Sequence, residues 1–130
     1  MTEEAGKVFS RDFRLRRRSD FVYVRENGEN FAARRCAVQV AESPTGSRGY
    51  AFVVSRRYSV RAVDRNRARR LFRESYRKLL PQLRPAWIVF RPRHSMKHAS
   101  QQQVQADLEN VLRRAGVFEA PAHKPEEASE

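Results

Sequence analysis

Residues 65–77 read "RNRARRLFRESYR", and this stretch constrains the fold more than any other part of the chain. Projected at about 100° per residue, Ala68, Leu71, Phe72, Ser75, Tyr76 and Leu79 gather on one side, the i, i+3, i+4, i+7 pattern of a helix face buried on a sheet. Asn66, Arg69, Arg70, Arg73 and Arg77 gather on the other, with Arg65 in the first turn at the margin of the apolar face. Asp64 is the expected N-cap, and Pro81 stops the helix near Leu80. Glu74 lies on the flank one turn after Arg70, where it is expected to pair with it. Such a helix requires an apolar layer beneath one face and leaves the other to solvent or to an anion.

The flanking segments supply that layer. Ser19 or Asp20 is expected to cap a short helix over "DFVYVREN", which Gly28 ends. Residues 30–42 read as extended, with Cys36, Val38 and Val40 on one face and Arg35, Ala37 and Gln39 on the other. "SPTGSRG" is a turn and "GYAFVVS" a strand. "AWIVFR" is a short apolar run that reads as a buried strand. Ser100 and Gln103 form a capping-box pattern. Val104, Leu108, Val111, Leu112 and Ala115 then follow at helical spacing, and Gly116 closes that helix. The order α-β-β-β-α-β-α predicts an α+β fold, a small mixed sheet packed with about three helices. Residues 1–8 are expected to be flexible, 9–116 to form a single domain, and 117–130 to form an acidic disordered tail.

Charge narrows the partners. The net charge is +12 and the pI about 11.1, so the folded chain repels itself unless it meets a polyanion. Arginine supplies most of the basic residues; only Lys7, Lys78, Lys97 and Lys124 are lysines. Arginine grips phosphate bidentately and stacks on bases, although genomic base composition also trades lysine for arginine. Arg65, Arg69, Arg73 and Arg77 form an unbroken i, i+4 ladder. Like charges at that spacing repel by a few tenths of a kcal/mol per pair, roughly, whereas phosphates turn the same charges into binding energy. A basic zipper fails for lack of downstream heptads, since Pro81 and Pro85 interrupt the leucines. A helix-turn-helix fails because the preceding segment is strand-like. Phe9, Phe13, Phe21 and Tyr58 accompany the basic residues and suit either core packing or stacking on unpaired bases. A nucleic acid is therefore the expected ligand, and the charge pattern does not say which one.

The residues offer no catalytic set. There is no Ser/His/Asp arrangement, Gly-rich phosphate loop or nucleotide motif. His94 and His98 stand at i, i+4, but two histidines without a nearby carboxylate or thiolate are a poor metal site, and none is assigned. Cys36 is the single cysteine, so no internal disulfide forms. No apolar run approaches the ~18 residues of a membrane helix. A cytoplasmic location and no membrane partner are expected.

The motif "RNRARRLFRESYR" resembles the arginine-rich signature of the bacterial ribonuclease P protein subunit, R-N-x-x-K/R-R-x-x-R-E. Arg65, Asn66, Arg69, Arg70, Arg73 and Glu74 match it position by position. "FSRDFRLRRRSDF", "GYAFVVSRR", "AWIVFRPR" and "ASQQQVQADLENVLRRAG" resemble the family's flanking elements in order. The resemblance implies a left-handed βαβ crossover through the arginine helix. It implies a job: helping a catalytic RNA, which holds the active-site Mg2+, remove the 5′ leader of precursor tRNA. On that reading the protein has no catalytic residue and binds no cofactor of its own. Arg65, Asn66, Arg69, Arg70 and Arg73 would contact the catalytic RNA, and Arg56, Arg57 and Arg61 of the basic loop would also bind RNA. Phe21, Ala37 and Gln39 would line the leader cleft. Arg25 and Gln39 replace aromatics found in other members, which shifts the expected leader contact from stacking toward charge and hydrogen bonding. The alternative is a ribosomal-type or chaperone-like basic RNA-binding protein without a role in cleavage.

Overall fold

The computed structural model describes residues 13–119; Phe9, segment 1–8 and residues 120–130 of the expected tail lie outside the described residues. The order is β1 (Phe13–Arg14), α1 (Arg18–Asn27), β2 (Glu29–Ala32), β3 (Cys36–Glu42), β4 (Gly49–Phe52), α2 (Ala62–Leu79), β5 (Ala86–Pro92) and α3 (Gln101–Arg114). Two 3-10 turns, Leu80–Gln82 and His94–His98, flank β5. The α+β class and the expected order are found, with the two-residue β1 added in front. Among the described residues no helix is long and apolar enough to cross a membrane.

The strands form one mixed sheet in the order β1-β4-β5-β3-β2. β1 and β5 run parallel to β4, while β3 runs antiparallel to both β5 and β2. The extended reading of 30–42 needs one correction. The chain folds back at 33–35, where the Ala33 N–H donates to the Cys36 carbonyl at 2.8 Å, and makes the β2–β3 hairpin.

Period-2 alternation divides the strands between two cores. Cys36, Val38, Val40, Ile88 and Phe90 face α2 and α3, meeting Ala68, Leu71, Phe72, Tyr76, Val104, Leu108 and Leu112. Ala41, Ala51, Trp87 and Val89 face α1, meeting Leu15 and Val24. The residues of α2 that are buried are Ala68, Leu71, Phe72, Ser75, Tyr76 and Leu79, the six given by the helical projection. Gly49 lies under Trp87: a Cβ there would sit 2.7 Å from the indole and 2.9 Å from Leu15, so only glycine lets the ring lie flat on β4.

The hand of the β4-α2-β5 crossover follows from L-chirality. In an extended strand running upward, a residue whose side chain points at the viewer directs its N–H and C=O to the right, because its Hα occupies the left. Val53 packs on the α1 side, and its N–H donates to the Phe90 carbonyl at 2.8 Å. Seen from α1, β5 thus lies right of β4; seen from α2, it lies left. A chain that rises along β4, crosses the near face through α2 and enters the strand on its left makes a left-handed crossover, the rare hand.

The helix starts also differ from the sequence expectation. α1 begins at Arg18, and Asp20 sits in its first turn, where its carboxylate accepts the backbone N–H of Arg17 at 3.1 Å and of Arg16 at 3.3 Å. α2 begins at Ala62, so Asp64 is not the N-cap but a first-turn carboxylate that accepts the Ser59 hydroxyl at 2.8 Å. Both acids still face the positive end of their helix dipole. α3 has the expected capping box: the Gln103 N–H donates to Ser100 Oγ at 3.1 Å, and the Ser100 N–H to Gln103 Oε1 at 3.0 Å. Gly116 follows in the left-handed region at φ +76°. The ordered domain runs past the expected limit of 116. Val117 is fully buried, Phe118 bridges to Leu83, and the Glu119 N–H donates to the Gln82 carbonyl at 2.7 Å.

Candidate nucleic-acid interface

The arginines fall into two populations. Some are spent on the fold. Arg67 reaches out of α2 and donates to the carbonyls of Lys97 at 3.1 Å and Ala99 at 2.6 Å, pinning the turn before α3. Arg35 pairs with Asp107 on α3 at 3.3 Å, and its backbone N–H donates to the same carboxylate at 3.0 Å. It thus turns away from the face it was expected to share with Ala37 and Gln39. Arg65 donates to the carbonyls of Ser59 and Val60, both at 2.9 Å, and ties the basic loop to the start of α2.

The others face outward. Asn66, Arg70, Arg73 and Arg77 are exposed along α2, and Arg56, Arg57 and Arg61 are exposed on the loop before it. Arg69 is half-buried between the two sets; it donates to Asn66 Oδ1 at 3.1 Å and to the Val54 carbonyl at 3.3 Å. That bridge fixes the amide of Asn66 and joins the helix to the end of β4. Arg73 lies 5.8 Å from the Phe52 ring centroid, a cation–π contact that orients the guanidinium without consuming its donors. Glu74 accepts Arg77 at 2.7 Å, not Arg70, so the expected Arg70–Glu74 pair gives way to an i, i+3 pair nearer the helix end.

The second surface lies on the other side of the sheet. α1 covers only part of that face. Tyr23 and Phe21 flank Val24 on opposite sides of the helix. Tyr23 packs edge-on against Trp87 at 5.5 Å and donates to the Glu42 carbonyl at 2.8 Å. Phe21, half-buried against the same core, lies on the other flank of α1, with Arg25 exposed one turn later. Ala37 and Gln39 share one face of β3, both half-buried. Ala37 pairs with Arg91 and Gln39 with Val89 across the β3–β5 ladder. Arg91 Nη1 donates to Gln39 Oε1 at 3.3 Å, which leaves the amide nitrogen of Gln39 as a donor. Ala37, Gln39 and Arg91 thus adjoin one another on the sheet face that carries α1, where Phe21 and Val53 also pack. Sequence reasoning missed Arg91 because its side depends on the register of β5 against β3, although its period-2 spacing from Trp87 and Val89 carries that signal.

Tyr58 is a correction to the stacking expectation. It is buried, stacked on His94 at 6.1 Å between centroids and covered by Lys97 at 5.5 Å. Burial and the nearby Asp64 carboxylate raise its phenol pKa, against an opposing effect of Arg67. Its ring props the basic loop on the His94–His98 turn. Cys36 is also sealed in: burial, aided by Asp107 and opposed by Arg35 and Arg93, pushes its thiol up to about 12. Such a thiol is neither a nucleophile nor a metal ligand at neutral pH. Among the described residues no group of three or more His, Cys, Asp or Glu side chains could hold a metal ion.

The family model for ribonuclease P matches residues 9–116. The ribonuclease P protein component of Chloroflexus aurantiacus is 39% identical over 116 residues, covering 88% of this chain and 85% of that protein. That of Roseiflexus sp. is 36% identical over 112 residues, covering 85% and 91%. The solved RNase P protein of Staphylococcus aureus superposes with a TM-score of 0.73 at 26% identity, covering 82% of this chain and 97% of that one. The Thermotoga maritima RNase P protein gives 0.69 at 25% identity, covering 78% and 96%. The chain therefore belongs to the ribonuclease P protein family, the protein component of a ribonucleoprotein endoribonuclease.

Proposed function

We propose that the exposed arc of α2 holds the catalytic RNA, that the basic loop beside it binds RNA, and that a cleft beside α1 holds the 5′ leader of precursor tRNA. The observation that carries this reading is the division of the arginines. Arg35, Arg65 and Arg67 are committed to carbonyls and a carboxylate of the fold, whereas Arg56, Arg57, Arg61, Arg70 and Arg73 stand exposed together. Self-repulsion of such a cluster is relieved when phosphates replace solvent and counterions leave. Arg69 and Asn66 act as one braced unit, with guanidinium and amide presented at fixed spacing. In the cleft, the Gln39 amide offers a hydrogen-bond donor, Phe21 an edge for a base, and Arg25 and Arg91 the charge that a phosphodiester strand needs.

The protein's contribution to cleavage is then positioning and charge screening. Two polyanions must approach each other, and the protein lowers that repulsion and fixes the leader; the Mg2+ and the reacting atoms belong to the RNA. Precursor tRNA and the RNA are both met in the cytoplasm.

Arg70→Ala and Arg73→Ala test the assignment, because both side chains are exposed and neither supports the core. Each variant is expected to keep its thermal stability, to weaken holoenzyme assembly, to lower the salt slope of RNA binding by about one, and to raise the magnesium needed for cleavage. Unchanged assembly and magnesium dependence in both variants would remove this role from the helix.

A further inference from the structure

A hollow of about 170 Å³ opens at the ends of β4 and β5, lined among others by Val53 and Arg91. A wider groove of about 640 Å³ runs from there between the basic loop and the His94–His98 turn. Arg57, Tyr58 and His94 line both, so hollow and groove form one continuous depression, which meets the α1 face of the sheet at Val53 and at Arg91, the partner of Gln39. Its walls are cationic: Arg57 and Arg61 on one side, Lys97 on the other. The one carboxylate lining the groove, Asp64, accepts the Ser59 hydroxyl. Val60, 73% exposed, stands among these cations, where an apolar side chain serves no phosphate but offers a surface to a base or ribose.

We infer that the leader strand does not end in the cleft but continues through this groove, its phosphates on Arg57, Arg61 and Lys97, along the wall formed by the His94–His98 turn. The inference rests on the reading of the cleft as the leader site and extends it to a segment of RNA that the cleft alone cannot reach. It gives the turn before α3 a role in substrate binding, separate from the α2 arc that faces the catalytic RNA.

Site-directed crosslinking in the assembled holoenzyme tests it. Native Cys36 is fully buried and its thiol is held in the neutral form, so a photoreactive label attaches only to an introduced cysteine. His98→Cys places the label in the groove, and Gln39→Cys places it in the cleft. With precursor tRNA carrying a long leader, both labels are expected to reach the leader, at adjacent but different nucleotides. If Gln39→Cys reaches the leader while His98→Cys reaches only the catalytic RNA, or nothing, the groove proposal is overturned and the cleft reading stands. If neither label reaches the leader, the cleft reading fails and the proposal falls with it. A parallel measurement uses Lys97→Gln. Its affinity for long-leader substrate is expected to drop several-fold, with affinity for a leader too short to leave the cleft unchanged; an equal drop for both would also overturn the proposal.

Discussion

Cys36 illustrates how one side chain reports on the whole core. Its thiol lies between β3 and α3, with no exposed surface and with Asp107 nearby. The folded chain therefore keeps it protonated up to about pH 12, whereas in the unfolded chain it ionises near 9. The unfolded state then holds fewer protons between those values, so folding stability is complete below pH 9 and falls as pH rises toward 12. The loss approaches about 1.4 kcal/mol per pH unit within that window. Thermal melts from pH 8 to 11 should show the wild type losing stability faster than Cys36→Ala, and native protein should resist thiol reagents at pH 8. Equal alkaline slopes would mean that the thiol is not sealed. The burial of Cys36 was legible from its alternation with Val38 and Val40. The partner that seals its surroundings, Arg35 with Asp107, was not, because the two are far apart in sequence and nothing in period 2 or period 3.6 connects them.

At the scale of elements, α2 separates fold from function on a single helix. Its apolar stripe was readable in full, since burial on a sheet demands a 3.6-residue repeat and few sequences produce one by accident. Its arginines were not fully readable, because charge alone does not say which guanidinium meets a carbonyl and which meets solvent. Arg67 shows the difference. Arg67→Ala removes two hydrogen bonds to the carbonyls of Lys97 and Ala99 and unpins the turn before α3. It is expected to cost about 1–3 kcal/mol of stability, read as a lowered denaturation midpoint, while the salt slope of RNA binding stays near that of wild type. Arg73→Ala should do the reverse. A stable Arg67→Ala protein with a reduced salt slope would place Arg67 among the RNA ligands instead. The helix starts show a similar limit. Asp20 and Asp64 were read as caps, but they lie inside the first turns, where they meet the dipole, and the N-cap positions go to Arg17 and Arg61.

For the molecule as a whole, class and element order followed from alternating periods along the chain. Sheet order and crossover hand did not. The hairpin at 33–35 hides inside a continuously extended composition. The left-handed path through α2 runs against the general preference and came only from family resemblance, which the Val53–Phe90 hydrogen bond independently supports. The consequence of this path is functional. It sets the arginine helix on one face of the sheet and α1 on the other, so the two proposed RNA surfaces share a thin scaffold without competing for space. The basic loop and the His94–His98 turn occupy the rim between them. Cleavage of precursor tRNA at low magnesium, with a bacterial ribonuclease P RNA and with or without this protein, tests that division of labour most directly. Cleavage at the mature 5′ end only when both are present, and none by the protein alone, is the predicted result. RNA binding without stimulation of cleavage, or cleavage by the protein alone, would contradict it.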